Sequence, residues 1–455
     1  MTAKSTWALI AATVVAVASV TAAGFVLADR SPNSTKKITG TSAETPGLAW
    51  SLDPAEYLGR PFADFSDPRG GSSFNSGEPG FIVSGDTLVT IAGIPTAGMD
   101  LKDPVMIGVN ATDGTVLWQA PAHDLVQCSE TPLGGRIYCY ALNTREGWSL
   151  VTYDIESGAS VRRKSPEAIF GLTTTSDTLY IAEGSPEEND VRVHSGTFDD
   201  VSANWTHAFD IGGSYEELYG DVLTVTNGVG LVRTGNELAQ FDTESGTQVW
   251  SSSDDCVYDA TLIAGGVVAQ SNTDCETYNG VTEQLLRDAD GTVLVTTDGN
   301  AVQNPIVETS GGADVPVLLG DSAFDPETGQ QLWTNPDLVE SAQGAVSAIA
   351  GGVVYVRDPS NDGESGIDVR TGKQLWHNDT AQMFTPTAGH GTVIVGTDGI
   401  ALTALDVRTG KVAWTAPFVA IDPDPETFGS GGAVEPYDDG WIFSSDRRMI
   451  RLSPL

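Results

Sequence analysis

Basic residues, histidine and cysteine are all scarce in this 455-residue chain, and each shortage closes off a class of function. Twenty-three Lys and Arg face 61 Asp and Glu, for a formal net charge of −38. A surface of that sign repels phosphate backbones, so nucleic acid is excluded as a partner, and its plain effect is solubility. The five histidines (His123, His194, His207, His377 and His390) form no HxH or HxxxH pair, so no zinc site is signalled. His377 follows a Trp and reads as an ordinary strand residue. The four cysteines make neither a CxxC nor a Cys-Cys pair, and no GxSxG or Walker-type loop occurs. The acidic stretches 358–365, 422–426 and 187–190 lack the alternate ligand spacing of an EF-hand and read as solvated turns. No catalytic, cofactor-binding or metal-binding residue is therefore assigned.

Long apolar runs are also rare, with one exception. Trp7–Leu27 holds twenty-one uncharged residues, enough to span a bilayer as a helix. An uncleaved signal anchor is favoured over a signal peptide cut after Thr21-Ala22-Ala23. Residues 1–6 then form a short cytoplasmic N-terminus, 28–47 a flexible linker rich in Ser, Thr, Pro and Gly, and 48–455 the folded domain. The cysteines fall into two local pairs, Cys128 with Cys139 and Cys256 with Cys275. This suits two disulfides in an oxidising compartment, with buried free thiols as the alternative. The expected location is the cytoplasmic membrane, single-pass, with the domain outside.

What the chain has in quantity is glycine, 51 residues, set among short β-branched runs. The stretches IDVRTGKQLW (367–376) and LDVRTGKVAW (405–414) are near-copies, and FDTESGTQVW (241–250) and FDPETGQQLW (324–333) match them fully. Partial copies end at Trp118, Arg162 and Val295, and Gly196–Trp205 keeps only the Trp. The motif glycines recur about every forty-two residues, a period of propellers and solenoids. Each period holds four strand-like runs, such as AVSAIA (345–350) and GGVVYV (351–356), and no helical pattern. That describes a propeller blade. In the motif, the Asp caps a turn, the Gly supplies a positive φ, and the Trp packs against a neighbouring blade. Trp50, Trp118, Trp205, Trp250, Trp333, Trp376 and Trp414 are the expected docking residues. Eight motif units are found. A C-terminal remnant, Asp439–Leu455, and an isolated Trp50 strand suggest ring closure and a strict count of nine. The expectation is eight blades, with seven to nine as the range. The basic run 161–166 stands where a Trp is missing and reads as an exposed strand edge.

The Asp-x-x-Thr-Gly-x-x-x-Trp repeat resembles the tryptophan-docking repeat of pyrroloquinoline-quinone-type (PQQ-like) β-propellers, over about residues 48–455. That family holds quinoprotein alcohol dehydrogenases, an outer-membrane barrel-assembly lipoprotein and membrane-anchored actinobacterial proteins. The resemblance implies an all-β, four-stranded-blade propeller, and for the dehydrogenases an adjacent Cys-Cys disulfide, a catalytic Asp, and Glu and Asn ligands for Ca²⁺. No Cys-Cys pair is present, so no catalytic residue carries over. The expected function is a non-catalytic, membrane-anchored, monomeric scaffold for a protein or cell-envelope partner, with no cofactor. A divergent PQQ- and Ca²⁺-dependent dehydrogenase and an extracytoplasmic ligand sensor are the alternatives.

Overall fold

The computed structural model describes residues 35–455 except 74–77, 99, 214–221, 253–255, 275–279, 299–305, 308–314, 340–345, 359–362, 381–384 and 429–430. Its strands form nine sheets. Blade 1 runs from Asp64–Ser66 and Ile82–Ser84, which share the innermost edge, to Val116–Pro121. Blades 2 to 5 begin at Leu125–Cys128, Ile169–Thr174, Leu223–Thr226 and Val257–Ile263. Blade 6 comprises Val317–Leu319, Ser322–Phe324 and Gln331–Thr334. The pair Ile306–Val307 is drawn off to pair in parallel with Val346–Ala350 of blade 7. Blades 7 and 8 end at Gln374–Asn378 and Lys411–Pro417. Blade 9 is Ala433–Tyr437, Gly440–Ser444 and Met449–Ser453, closed by the N-terminal strand Gly47–Leu52. First strands of successive blades touch one another and so line the axis.

The ring thus has nine blades, one more than the eight expected. The strict count holds because no unit is lost: the weakest, around Gly196–Trp205, supplies the last turn and outer strand of blade 3, and the motif-free remnant supplies blade 9.

The motif behaves as its chemistry demands. Oδ1 of Asp154, Asp242, Asp325, Asp368 and Asp406 accepts from the backbone N–H and the hydroxyl of the Ser or Thr three residues on. These bonds hold the Asp154, Asp242, Asp325 and Asp368 carboxyls below their ordinary range, the Ser or Thr hydroxyl first among the causes.

The Trp indole of one blade lies against the motif glycine of the next. Its Nε1–H donates to the carbonyl just after the next motif's Asp or Asn: Trp50 to Ala111, Trp118 to Ile155, Trp205 to Thr243, Trp333 to Val369 and Trp376 to Val407, at 2.7–3.0 Å. Trp250 also covers the next glycine, Gly291, but donates within its own blade, to Gln240 Oε1. Trp414 is half-buried in the core shared by blades 8 and 9. Where blade 2 has Arg162 in place of Trp, Arg163 reaches blade 3, donating to the Asp199 carbonyl and lying 5.7 Å from the Phe198 ring centroid. Its strand Ser160–Lys164 is the exposed outer edge expected from the basic run.

One device was not legible in the motif. The residue before the docking Trp is a β-bulge: the pairing skips Ala49, Leu117, Val249, Leu332, Leu375 and Ala413. A bulge re-aims the next side chain. Here it turns an aliphatic residue outward (Leu117 and Leu375 are each 48% exposed) and swings the indole into the neighbouring blade. Blade 2, without a Trp, has no bulge at this position.

Cys128 and Cys139 lie directly across from each other on adjacent strands and are disulfide-bonded. Cys256 is also disulfide-bonded, and Cys275, its expected partner, lies outside the described residues, as does the apolar segment 7–27. No helix among the described residues is long and apolar enough to cross a membrane. Of the linker 28–47, the part from Thr35 on is laid against the ring. Lys36 bridges Leu48, Ile38 is buried between blades 8 and 9, and Thr45 donates to the Thr415 carbonyl.

Candidate functional site

In a four-stranded meander, the connection from each outer strand to the next blade shares a face with the hairpin between strands two and three. On that face, among the described residues, the connections after Leu52, Thr334 and Pro417 carry helical turns, and the first and last of these meet. After Leu52, Asp53 caps the helix Pro54–Leu58, its Oδ1 accepting from Ala55 and Glu56 N–H, and Gly59 ends it in the left-handed conformation. After Pro417 come the helix Phe418–Ile421 and the 3₁₀ turn Pro425–Phe428. The two connections belong to adjacent blades, and Arg448, from the second hairpin of blade 9, ties them together. Its Nη2 lies 2.5 Å from Asp422 Oδ2 and 3.5 Å from Asp53 Oδ2.

Between them opens a cleft of about 190 Å³ lined by Asp53, Ala55, Phe62, Ala63, Asp424, Thr427 and Arg447. Next in the chain to Thr427, Phe428 stacks on Phe418 at 4.3 Å, and Phe418 on Phe443 at 5.4 Å, all three buried. Phe62, in its lining, is 73% exposed, and Val419, on the helix Phe418–Ile421, is 58% exposed. Ile400, whose carbonyl accepts from Phe418 N–H, and Tyr57, on the helix that carries Ala55, are further exposed apolar side chains on this face.

Phe62 is held in an unusual backbone state. Ala63 N–H donates to the Arg60 carbonyl, closing a four-residue turn with Pro61 second and Phe62 third at φ 67°. That is the pattern of a type II turn, whose third position is ordinarily glycine. Holding an aromatic residue there costs on the order of 1–3 kcal/mol. Among the described residues it is the one large apolar side chain at positive φ, the others being Asp, Asn and Cys.

Asp64 sits beside the cleft, with Arg447 Nε 3.6 Å from its Oδ1. Burial first, and then the Asp446 charge, push its carboxyl up to about 6, against the pull of Arg447. The fold therefore favours the neutral form. Its contribution to stability grows as pH falls through about 6 and levels off near the ordinary value of 3.8. Asp64→Asn is expected to stabilise the protein by about 1 kcal/mol at pH 7.5, discounted for the carboxyl's residual solvent contact, and to flatten the pH dependence of the melting temperature between about 4 and 6. A lower melting temperature for the variant at pH 7.5 would show instead that the charged pair with Arg447 dominates.

A second polar cluster faces the axis. The innermost edge of blade 1 breaks after Ser66 and resumes at Ile82, and Thr90 Oγ1 donates to the carbonyls on both sides of the break, Ser66 and Gly80. On this excursion Arg69 chelates Asp67 and lies 3.7 Å from Glu130 of blade 2 and 3.9 Å from Glu435 of blade 9. Burial opposes its charge, but the Asp67 bonds and the three carboxylates outweigh that and raise its pKa. Burial likewise raises the Glu435 pKa, with Arg69 opposing. The acids on this edge are thus shared with an arginine. No group of three His, Cys, Asp or Glu able to hold a metal ion occurs among the described residues. This set, whose acids are shared with Arg69, does not fit the quinone-and-Ca²⁺ donors that the resemblance implies.

His194 contacts Glu183 (2.9 Å) through Nε2 and Thr206 (2.8 Å) through Nδ1, and His377 contacts Ser365 (2.9 Å) and Asp379 (3.4 Å). These carboxylate–imidazole–hydroxyl sets look catalytic in outline. They are cross-strand pairs next to the docking Trp, repeated as Ser322 with Thr334, and belong to the blade. Of the acidic stretches, 422–426 supplies Asp422 to Arg448 and Asp424 to the cleft; Asp190 of 187–190 pairs with Arg192; and 359–362 lie outside the described residues. Phe62, Arg447, Arg448 and Asp53 were missed by sequence reasoning. The adjacent arginines 447–448 in so acidic a chain were the available signal.

Nine blades closed by the N-terminal strand and docked on one another through tryptophans make the chain a β-propeller. Residues 322–448 match the family model described as "Outer membrane protein assembly factor BamB". No curated protein matches the chain. Similar solved structures include BamB from Moraxella catarrhalis (12% identity, 82% of this chain and 93% of that one, TM-score 0.43). Another is the quinohemoprotein alcohol dehydrogenase ADHIIG from Pseudomonas putida HK5 (12%, 93% and 78%, TM-score 0.46). A third is the computationally designed Ika8 protein (10%, 86% and 96%, TM-score 0.47).

Proposed function

We propose that this propeller is a non-catalytic binding scaffold, held at the outer side of the cytoplasmic membrane by segment 7–27 and displaying the cleft-bearing face to a protein or envelope partner. The observation that carries this reading is directional. Thr35 and Leu455 lie against Gly47, at the start of the closing strand, whereas the cleft opens beyond its other end, at Asp53. A chain anchored through its N-terminus thereby presents the Phe62 face away from the anchor. The Cys128–Cys139 disulfide suits an oxidising exterior, and the family matched by 322–448 is described as an assembly factor.

The test sets this reading against quinone chemistry. Full-length protein incubated with PQQ and Ca²⁺ is expected to retain no quinone absorbance after gel filtration and to reduce no dye with primary alcohols. In intact cells an added protease is expected to reach the domain. Alcohol-dependent dye reduction would sink the scaffold reading, and protection from the protease would sink the topology.

A further inference from the structure

The outer strand of blade 2, Ser160–Lys164, stands apart from the other eight outer strands. Seven of those are interrupted by a bulge, which blunts an edge. This one is regular: Asp154 N–H donates to the Ala159 carbonyl, Ser165 N–H donates to the Trp148 carbonyl, and the register between them never shifts. Ladder bonds alternate along an antiparallel pair. Val161 and Arg163 therefore bond inward, and the N–H and C=O groups of Ser160, Arg162 and Lys164 point off the sheet. Among the described residues nothing bonds to those groups. The strand is also basic, whereas Lys411 is the one Lys or Arg on the other eight. Arg162 meets the His123 carbonyl, and Arg163 the Asp199 carbonyl and the Phe198 ring. Among the described residues neither they nor Lys164 form an ion pair, although Arg69, Arg192, Arg233, Arg447, Arg448 and Arg451 all do.

We propose that this edge takes an extended acidic segment of a partner protein as an added strand. Backbone pairing to an open edge supplies the affinity, and alternate side chains supply the selection. Arg162 and Lys164 share one face of the strand, and Val161 and Arg163 the other. The segment that fits thus carries Asp or Glu at every second position, against Arg162 and Lys164, and aliphatic residues between them, on the side of Val161, which is 48% exposed. A charged edge is also an ordinary guard against aggregation. A guard needs charge of either sign, and with 61 acids to 23 bases in the chain an acidic guard was the common choice. Three cations without an acid partner are what that role leaves over, and they complement an acidic ligand. Trp205–Phe209, the other outer strand without a bulge, carries no Lys or Arg. The proposal goes beyond the scaffold reading, because the edge lies on the rim and not on the cleft-bearing face.

The probe is a labelled peptide of about twelve residues alternating Glu and Val, titrated into full-length protein at about 0.15 M salt. Its references are a Lys–Val peptide and a Glu–Val peptide interrupted by two central prolines, which cannot donate to a ladder. Wild type is expected to bind the Glu–Val peptide about tenfold more tightly than either reference. The double variant Arg162→Gln/Lys164→Gln is expected to lose about tenfold in affinity at an unchanged melting temperature. Arg162→Pro removes the same Arg charge as Arg162→Gln and one outward N–H besides, while sparing the inward ladder, so it is expected to bind about threefold more weakly than Arg162→Gln. Lys411→Gln, an equal charge change on blade 8, is expected to change nothing. No binding by wild type overturns the proposal, as does equal affinity for the Lys–Val or the proline-interrupted peptide. Unchanged binding by the double variant overturns it too, and its self-association in light scattering would then assign the cations to guarding the edge. Should Arg162→Pro melt several degrees lower, the straight and interrupted peptides on wild type decide the backbone pairing by themselves. Failure here leaves the scaffold reading standing, whereas quinone-dependent activity removes that reading without touching this edge.

Discussion

Trp118→Ala is expected to destabilise the protein by about 3–5 kcal/mol, read from the urea unfolding midpoint. The indole is 9% exposed and wedged between two glycines: a Cβ added at Gly108 of its own blade would lie 2.3 Å from the ring, and one at Gly158 of the next blade 2.4 Å. Truncation thus leaves a cavity that neither glycine can fill. It also strips the Ile155 carbonyl of its 2.7 Å donor, and a buried acceptor left unpaired costs about 1–3 kcal/mol. Blades contact their neighbours alone, so the damage centres on the seam between blades 1 and 2, much as in other repeat proteins. Trp118→Phe restores part of the volume and none of the hydrogen bond, and belongs between the two. A loss below about 1 kcal/mol for the alanine variant would mean that the seam is held by the strands' other contacts and that the tryptophan is incidental.

Gly410→Ala carries the second large effect. At φ 65° any Cβ is strained by about 1 kcal/mol, and this one would also stand 2.4 Å from the Trp376 ring, which is backed on its other side by Gly366. Displacing the indole breaks its 2.7 Å bond to the Val407 carbonyl, so a total loss of about 3 kcal/mol or more is expected. Gly391 supplies the control. Its φ is 62°, but a Cβ there meets nothing within 4 Å, so Gly391→Ala should cost only the backbone term, about 1 kcal/mol. The melting temperatures of the two variants separate ring contact from dihedral strain. Equal losses would remove the docking role assigned to the motif glycine.

What the chain declares in advance is whatever it states repeatedly and locally. Asp368, Thr371 and Gly372 lie within five residues and make their turn by themselves, so the hairpin is legible wherever the letters recur. The Trp after them is legible as an anchor, since an aromatic at fixed spacing from a turn has to pack somewhere. The count of nine was within reach, but it depended on keeping a unit that retains only Trp205 and a remnant that is completed by Trp50, some four hundred residues earlier in the chain. The bulge before six of the seven docking tryptophans was not legible, because register is a property of a strand pair and Leu117 or Leu375 alone looks like any strand aliphatic.

The cleft was invisible for a related reason. It is built from two connections that occur once each, and their residues meet only after closure brings Asp53 and Asp422 onto the same Arg448. Asp422 was legible as a loop acid and Phe62 as a residue after Pro. Nothing in either stretch announces the other.

The closing strand has a mechanical consequence as well. Gly47–Leu52 is held antiparallel to Met449–Ser453, and the chain enters it from the end nearest the N-terminus, through the small clasp where Lys36 pairs with Leu48. A pull on the N-terminal side first opens the clasp, which two backbone bonds between Lys36 and Leu48 hold. Only then does it load the closing strand along its length, where the ladder bonds resist together in shear and Trp50 must be dragged from under Gly114. The seam that completes the ring is therefore also its tension member, with the clasp as a sacrificial link ahead of it.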